Sequence, residues 1–270
     1  KQLQNNFIGE ILVVKDQAEI GIFGGTGIYD SGLLQDSKEI IIDTPYGKTS
    51  DVITIGEFDG KKIAFMPRHG KKHSIPPHMI NYCANIWAFK ELGITRIIAP
   101  SAVGSLKEKI KPGHFVLPSQ FIDFTKSRKN SFSKDGKVIH ISVSDPFCPE
   151  LQKIISDVTE NQNITMHDDC TYVCIEGPRF STKSESFMFR SWKADIINMS
   201  SCPEVALARE QNIHYGSLAM ATDYDCWKEH EESVTWEMIK KKMDSNSMNV
   251  IKILLNVIPE IRNWDDICAH

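Results

Sequence analysis

The sequence predicts an α/β fold in a single domain, and three patterns carry that prediction. Short apolar runs of strand length alternate along the chain with segments whose apolar residues recur at helical spacing. Most of those runs stop abruptly on glycine, small polar or charged residues, as strands do where an α/β sheet meets its loops. No internal repeat, low-complexity tract or linker composition divides the 270 residues, a length that α/β folds often carry as one unit.

Taken in order, Ile20–Phe23 reads as the first strand. It breaks into Gly24-Gly25-Thr26-Gly27, a turn whose backbone N–H groups can face an anion. Asp51–Phe58 and Lys62–Met66 form a hairpin, signalled by the Asp59-Gly60 pair between them. Its second strand runs into Pro67-Arg68-His69-Gly70-Lys71-Lys72-His73. Arg offers paired donors in a fixed geometry, and His can donate a hydrogen bond or carry a proton, so this end suits an anion. Pro76–Leu92 is a helix with Ile80, Ala84, Trp87 and Phe89 on its buried side and Gly93 past its end. Arg96–Ala99 is a strand, followed by the small-residue loop Pro100-Ser101-Ala102-Val103-Gly104-Ser105. Gly113–Pro118 and Phe121–Ile122 are short apolar pieces, and Asp123–Gly136 is a polar, mobile connection. Val138–Val143 alternates weakly, like a strand, and carries His140.

In the second half, Cys148–Val158 is a helix with Leu151, Ile154, Ile155 and Val158 on one face. Thr171–Ile175 is a strand entering Glu176-Gly177-Pro178-Arg179-Phe180-Ser181. Ala194–Met199 is another, entering Ser200-Ser201-Cys202-Pro203. A helix starts there, with Pro203 in its first turn and Glu204 favouring its positive end. Ser217–Ala221 is a buried strand that stops on two carboxylates, Asp223 and Asp225. Val234–Ile258 closes the chain as a long helix through Ile239, Met243, Ile251, Leu254, Leu255 and Ile258.

Composition narrows the function classes. At 41% hydrophobic and 24% charged residues the chain has material for a sizeable globular core. Net charge is −4, and no basic run exceeds the Lys240–Lys242 triplet, which argues against nucleic acid as a partner. The longest apolar stretches are too short for a membrane span, and residues 1–17 lack the apolar core and cleavage site of a signal peptide. Seven scattered cysteines without a C-x-x-C pair suit buried thiols in a reduced cytoplasmic protein, or a nuclear one as well in a eukaryote. His167, Cys170 and Cys174 come nearest to a metal signature, but no second ligand pair follows and no metal is expected.

Five strand ends then offer Thr26, Arg68 with His69, Ser101 with Ala102, Phe180 with Met199 and Ser200, and Asp223 with Asp225. Gathered on one rim, they make a pocket with two unlike ends. Hydroxyls, backbone donors and a cation suit phosphate; carboxylates and an aromatic ring suit a nitrogen heterocycle with an amino group. Met199 and Phe180 could cover a sugar between them. Neither Ser101 nor Ser200 sits in a nucleophile motif with a base and an orienting acid. The residues point to phosphate attacking a sugar–base bond, with the protein supplying position and charge.

Several stretches, in order, match one family: Gly24-Gly25-Thr26-Gly27, Arg68-His69-Gly70, the run Ile80–Gly93, SAVGS at 101–105, EGPRFST at 176–182, INMSSCPEVALARE at 197–210 and ATDYDCWKEHEE at 221–232. Over roughly residues 20–260 the chain resembles the 5′-methylthioadenosine phosphorylases, in the trimeric branch of the purine nucleoside phosphorylases. The resemblance implies a doubly wound α/β fold, a mixed sheet flanked by helices. It also implies a homotrimer with the site near a subunit interface, nucleoside and inorganic phosphate as substrates, and no cofactor. By the same resemblance Thr26, Arg68, His69, Ser101, Ala102 and Ser200 hold phosphate, Met199 lines the ribose and Phe180 packs on the purine. Asp223 faces N7 and Asp225 the 6-amino group, Ile239 belongs to the helix beside the 5′-alkylthio pocket, and His140 is lent to that pocket by the neighbouring subunit. Asp223, Ser200 and Arg68 are the residues that carry the chemistry.

A protonated Asp223 donating to N7 would lower the barrier to departure of adenine, and burial is what can keep that acid protonated. Related 6-oxopurine phosphorylases have Asn at that position, so the Thr222-Asp223-Tyr224-Asp225 run favours 6-aminopurines. The chain departs from the family at Ser101 and Ser200, often Thr in relatives, and at Trp236 and Lys240, where the family is smaller and more aliphatic. The segment 126–138 is shorter than in some relatives. Three other readings use the same residues: a broader phosphorylase that also accepts adenosine or inosine; a hydrolase in which Asp223 and Asp225 ligate a divalent metal that activates water; and a non-catalytic nucleoside-binding module.

Overall fold

A computed structural model describes residues 16–24, 34–134, 136–229 and 235–262 of the chain. The glycine turn with Thr26, His230-Glu231-Glu232, Val234 and everything past 262 lie outside them. The described strands are β1 (Ile20–Gly24), β2 (Gln35–Ile40), β3 (Ile53–Phe58), β4 (Lys61–Pro67), β5 (Arg96–Ser105), β6 (Phe115–Phe124), β7 (Met166–Ile175), β8 (Ile196–Asn198) and β9 (His214–Asp223). They form one mixed sheet in the order β2-β3-β4-β1-β5-β8-β7-β6-β9, and β9 returns to pair with β5. The helices are α1 (Tyr82–Glu91), α2 (Pro149–Asn161), α3 (Lys183–Ser191), α4 (Glu204–Glu210) and α5 (Trp236–Glu260).

The alternation of side chains along β1 shows how the layers are filled. Phe23 points into a core shared with Ile86 and Phe89 of α1 and Val205, Leu207 and Ala208 of α4. Ile20 and Ile22 point the other way, toward Leu151 and Ile155 of α2 and Ile253, Leu254 and Val257 of α5. Helices therefore cover both faces, as the doubly wound reading expects.

β5 is the hub, and it is longer than its sequence suggests. Its first residues, Arg96–Ile98, pair with β1 on one side, while Arg96–Gly104 pairs with β9 on the other. β8 takes over beside Gly104 and Ser105, antiparallel. Between Ile98 and Gly104 neither β1 nor β8 covers that side. Pro100 has no N–H to give a ladder, so a stretch of strand without a neighbour there is where it costs least. The segment read as a loop, 100–105, is thus strand, and the gap beside it is where the sheet changes neighbours.

Other expectations are corrected. The helix expected from Pro76 begins at Tyr82: Pro77–Met79 is a single 3₁₀ turn, Ile80 is extended, and the Asn81 side chain accepts from Ala84 N at 3.1 Å as the cap. The two apolar pieces around 113–122 join into one strand, β6. Val138–Val143 is not a strand; Val138 and Ile141 are exposed, so its alternation has no buried face to reward pairing. Asp123–Gly136 is anchored by Arg128 and by buried Phe132. The sequence reading passed over α3, whose Thr182–Glu185 capping box was its local signal, and β2, whose exposed polar residues lack a strand pattern. All six described cysteines are free thiols, five of them buried.

Candidate active site

The gap beside β5 opens into a cavity of about 630 Å³ lined by the ends of several strands, Gly24 of β1 among them, and by the first turns of α5. Arg68 and His69 follow β4, Ser101 and Ala102 lie on β5, and Met199 and Ser200 follow β8. Phe180 lies beyond β7, and Asp223 and Asp225 end β9; all of them line the cavity. Ile239 of α5 lines it too. The structure thus brings together every described residue of the expected site except His140, which is exposed and stands outside the cavity of its own chain.

At one end Arg68 is 4% exposed and held on three sides. Its Nε and Nη2 donate to the two carboxylate oxygens of Glu204, each at 2.7 Å, and its Nη1 donates to Pro100 O at 3.3 Å. Tyr215 donates to the same carboxylate at 2.6 Å. Although burial opposes the charge, the Glu204 carboxylate holds Arg68 above its ordinary pKa. Glu204 is fully buried, so its assignment to the start of α4 was only part of its role. The signal available in sequence was a carboxylate among residues that α4 buries, Val205, Leu207 and Ala208; such a group requires a cation.

His69 Nδ1 lies 2.9 Å from the carbonyl oxygen of Ile75. Burial pushes its pKa down to about 3; the Ile75 hydrogen bond opposes this and the Arg68 charge adds to it. Its ring stacks on His73 at 4.4 Å between centroids, and His73 stacks in turn on Trp236 at 4.4 Å. Trp236 therefore faces the cavity, whereas Lys240 is exposed and stands clear of it. The Ser200 turn is organised by Asn198, which the sequence reading missed. Its Oδ1 accepts from Ser200 N at 3.1 Å, and its Nδ2 donates to Ser200 Oγ at 3.3 Å. Ser101 Oγ and the buried Tyr172 hydroxyl are 3.4 Å apart.

The other end holds two buried carboxylates and no cation among its described hydrogen-bond partners. Asp223 Oδ2 accepts from Thr222 Oγ1 at 2.7 Å, and its Oδ1 accepts from Asp225 N at 2.7 Å. Burial raises the pKa of Asp223 to about 6 against the pull of those two hydrogen bonds, with the charge on Asp225 adding to the rise. Asp225 has φ 52°, a left-handed backbone that Asp tolerates better than most residues, and its Oδ1 accepts from Ser181 Oγ at 2.5 Å. Gly104 lets β5 pass close by: a Cβ there would stand 3.0 Å from Asp223 Oδ1. Gly177, at φ +68°, lets the chain leading to Phe180 cross Met199, whose Sδ would stand 2.6 Å from an added Cβ.

Arg128, also absent from the sequence reading, ties these loops together. It donates to Cys202 O at 2.5 Å, Glu176 O at 2.6 Å and Tyr82 Oη at 3.0 Å. Of the residues read as closest to a metal signature, His167 faces His114 at 2.9 Å and Cys174 faces Cys202. Among the described residues no group of three or more His, Cys, Asp and Glu side chains is placed to hold a metal ion.

A cavity at a sheet's change of neighbours, with basic and acidic ends, defines a class, and the phosphorylase superfamily model matches residues 19–259. The chain belongs to that superfamily. It is 64% identical over 248 residues to the S-methyl-5′-thioadenosine phosphorylase of Nitrosopumilus maritimus, covering 92% of this chain and 94% of that one. A methylthioadenosine phosphorylase from an Antarctic soil metagenomic library superposes with a TM-score of 0.90 at 41% identity, over 94% of this chain and 90% of that one. A single-site variant of the Schistosoma mansoni adenosine/methylthioadenosine phosphorylase, solved with methylthioadenosine, superposes at 0.86 with 37% identity, over 92% and 94%.

Proposed function

We propose that this chain is a pentosyltransferase that phosphorolyses S-methyl-5′-thioadenosine to adenine and 5-methylthioribose 1-phosphate, with inorganic phosphate as co-substrate and no cofactor. The observation that carries the reading is a single cavity holding Arg68, His69, Ser101 and Ser200 at one end and Asp223 and Asp225 at the other. A phosphate oxygen bonds to C1′ as the C1′–N9 bond breaks, and the electron pair of that bond passes into the purine. Asp223, whose pKa burial raises to about 6, gives its proton to N7 in the fraction of the enzyme that holds it, so the base leaves neutral. The charge developing on the ribose lies beside the bound phosphate, which stabilises it electrostatically. Asp225 faces the 6-amino group, Phe180 packs on the base and Met199 on the ribose. The apolar wall of Trp236, Ile239 and Met243 receives the methylthio group.

The whole chain acts as one phosphorylase unit with its core at roughly 20–260; the phosphate role that the family resemblance gives Thr26 falls on a residue outside the described ones. A cytoplasmic homotrimer would bring His140 of an adjacent copy to the 5′ end; among the described residues no helix is long and apolar enough to cross a membrane. Release of adenine from methylthioadenosine and adenosine, and of hypoxanthine from inosine, with and without phosphate, tests the reading. Release from methylthioadenosine that requires phosphate supports it. Release without phosphate indicates hydrolysis, and preference for inosine contradicts the assignment of Asp223 and Asp225.

A further inference from the structure

The proton on His69 is placed by its neighbour. A carbonyl oxygen can only accept, so the 2.9 Å contact from His69 Nδ1 to Ile75 O puts the imidazole hydrogen on Nδ1. The ring is held in that orientation by its stack on His73, itself backed by Trp236. A second proton is opposed by burial and by charge. Arg68 at the end of β4 and Arg128 after β6 are cationic, His73 on the same loop also acts against it, and the acid nearest the Arg68 fork, Glu204 of α4, is committed to that fork. At neutral pH the other ring nitrogen, Nε2, therefore carries a lone pair. It makes no hydrogen bond to any described residue, and His69 lines the cavity. The sequence reading allowed His69 to donate a hydrogen bond or carry a proton; in the fold its Nδ1 faces Ile75 O.

We infer that His69 selects for a protonated oxyanion, accepting a hydrogen bond from a P–O–H group through Nε2 and opposing a fully deprotonated tetrahedral anion such as sulfate. The inference rests on the phosphorolysis reading and refines its co-substrate. Hydroxyls at Ser101 and Ser200 can donate or accept, so they are indifferent to this distinction; the neutral imidazole nitrogen is not. Sulfate would set an oxygen lone pair against the Nε2 lone pair and leave both unmatched. With its protonated oxygen fixed at His69, phosphate presents unprotonated oxygens elsewhere, and one of those is the nucleophile for C1′.

The test measures adenine release from methylthioadenosine at pH 7.5, with phosphate as co-substrate and sulfate as competitor. For the natural chain the sulfate Ki should exceed the phosphate KM by at least about tenfold, the size expected for one mismatched buried hydrogen bond. In His69→Ala the phosphate KM should rise by roughly the same factor while the sulfate Ki moves less than about threefold, so the selectivity collapses. A sulfate Ki less than about tenfold above the phosphate KM in the natural chain overturns the inference, as does equal weakening of both anions in the variant. If the variant does not fold, the natural-chain ratio decides alone. No adenine release with any phosphate concentration would sink phosphorolysis itself; phosphate-dependent release with parity between the anions would sink only the role of His69.

Discussion

The two ends of the cavity solve the same problem, burial of charge, in opposite ways. Arg68 is buried against a carboxylate that meets its fork with two bonds, and Tyr215 satisfies the carboxylate from behind. Asp223 is buried to a similar degree but receives only a hydroxyl and a backbone N–H, and its charged neighbour is another acid. The difference separates a part that must not change state from a part that must. The ion pair with Glu204 keeps the Arg68 guanidinium rigid and charged. An uncompensated acid holds its proton more tightly, which a donor to a departing base requires.

Several substitutions break that contrast. The largest effect belongs to Asp223→Asn, which should lower kcat for methylthioadenosine by about 10²–10⁴-fold while moving the phosphate KM less than threefold. Steady-state kinetics with each substrate varied in turn will show it, and a matched loss on the phosphate side would merge the two ends into one function. Next comes Glu204→Ala. It leaves Arg68 buried without its partner and Tyr215 without its acceptor, and should cost roughly 3–5 kcal/mol in denaturant unfolding. Loss of less than 1 kcal/mol would mean that the pair is not what holds the basic end.

The acid end predicts the opposite sign. Asp223 titrates at about 6 in the fold, above the ordinary range for Asp, so between roughly pH 4 and 6 the native state keeps a proton that the unfolded chain has lost. Its contribution to stability is complete below about pH 4 and is lost as pH rises through 6. Asp223→Asn carries no such loss and should be the more stable protein at pH 7, by about 1–3 kcal/mol, with the gap closing toward pH 4. Thermal unfolding of both proteins across that range checks it. The smallest effect sharpens the comparison by adding the third wall. Trp236→Ala removes the outer ring of the His69–His73–Trp236 stack and should raise the methylthioadenosine KM by roughly 3–10-fold, with adenosine affected less. Equal changes for both nucleosides would detach Trp236 from the 5′ substituent.

Much of this was legible in the residue order because each element declares its own end. Apolar runs at 20–23, 51–58, 62–66, 194–199 and 217–221 became strands within a few residues, and the abrupt endings of the last three supplied Arg68, Ser200 and Asp223. The resemblance to a phosphorylase family supplied the roles. What escaped was set by distant parts of the chain. Pro100 reads as a strand breaker until β5 is seen to have no neighbour beside it on one side. Glu204 reads as a helix-dipole residue until Arg68, 136 positions away, folds against it. Asn198 and Arg128 act through backbone groups of loops, which leave no residue-type signature. The polarity of His69 depends on one carbonyl, that of Ile75, and a carbonyl is present at every position of any sequence.

The contrast between the two ends comes down to where one carboxyl keeps its proton. Infrared difference spectroscopy between the natural protein and Asp223→Asn, recorded from pH 4 to 8, isolates the carboxylic acid band of Asp223. A band should be present at low pH and disappear with a midpoint near 6. A midpoint in the ordinary carboxylate range, close to 4, would contradict it.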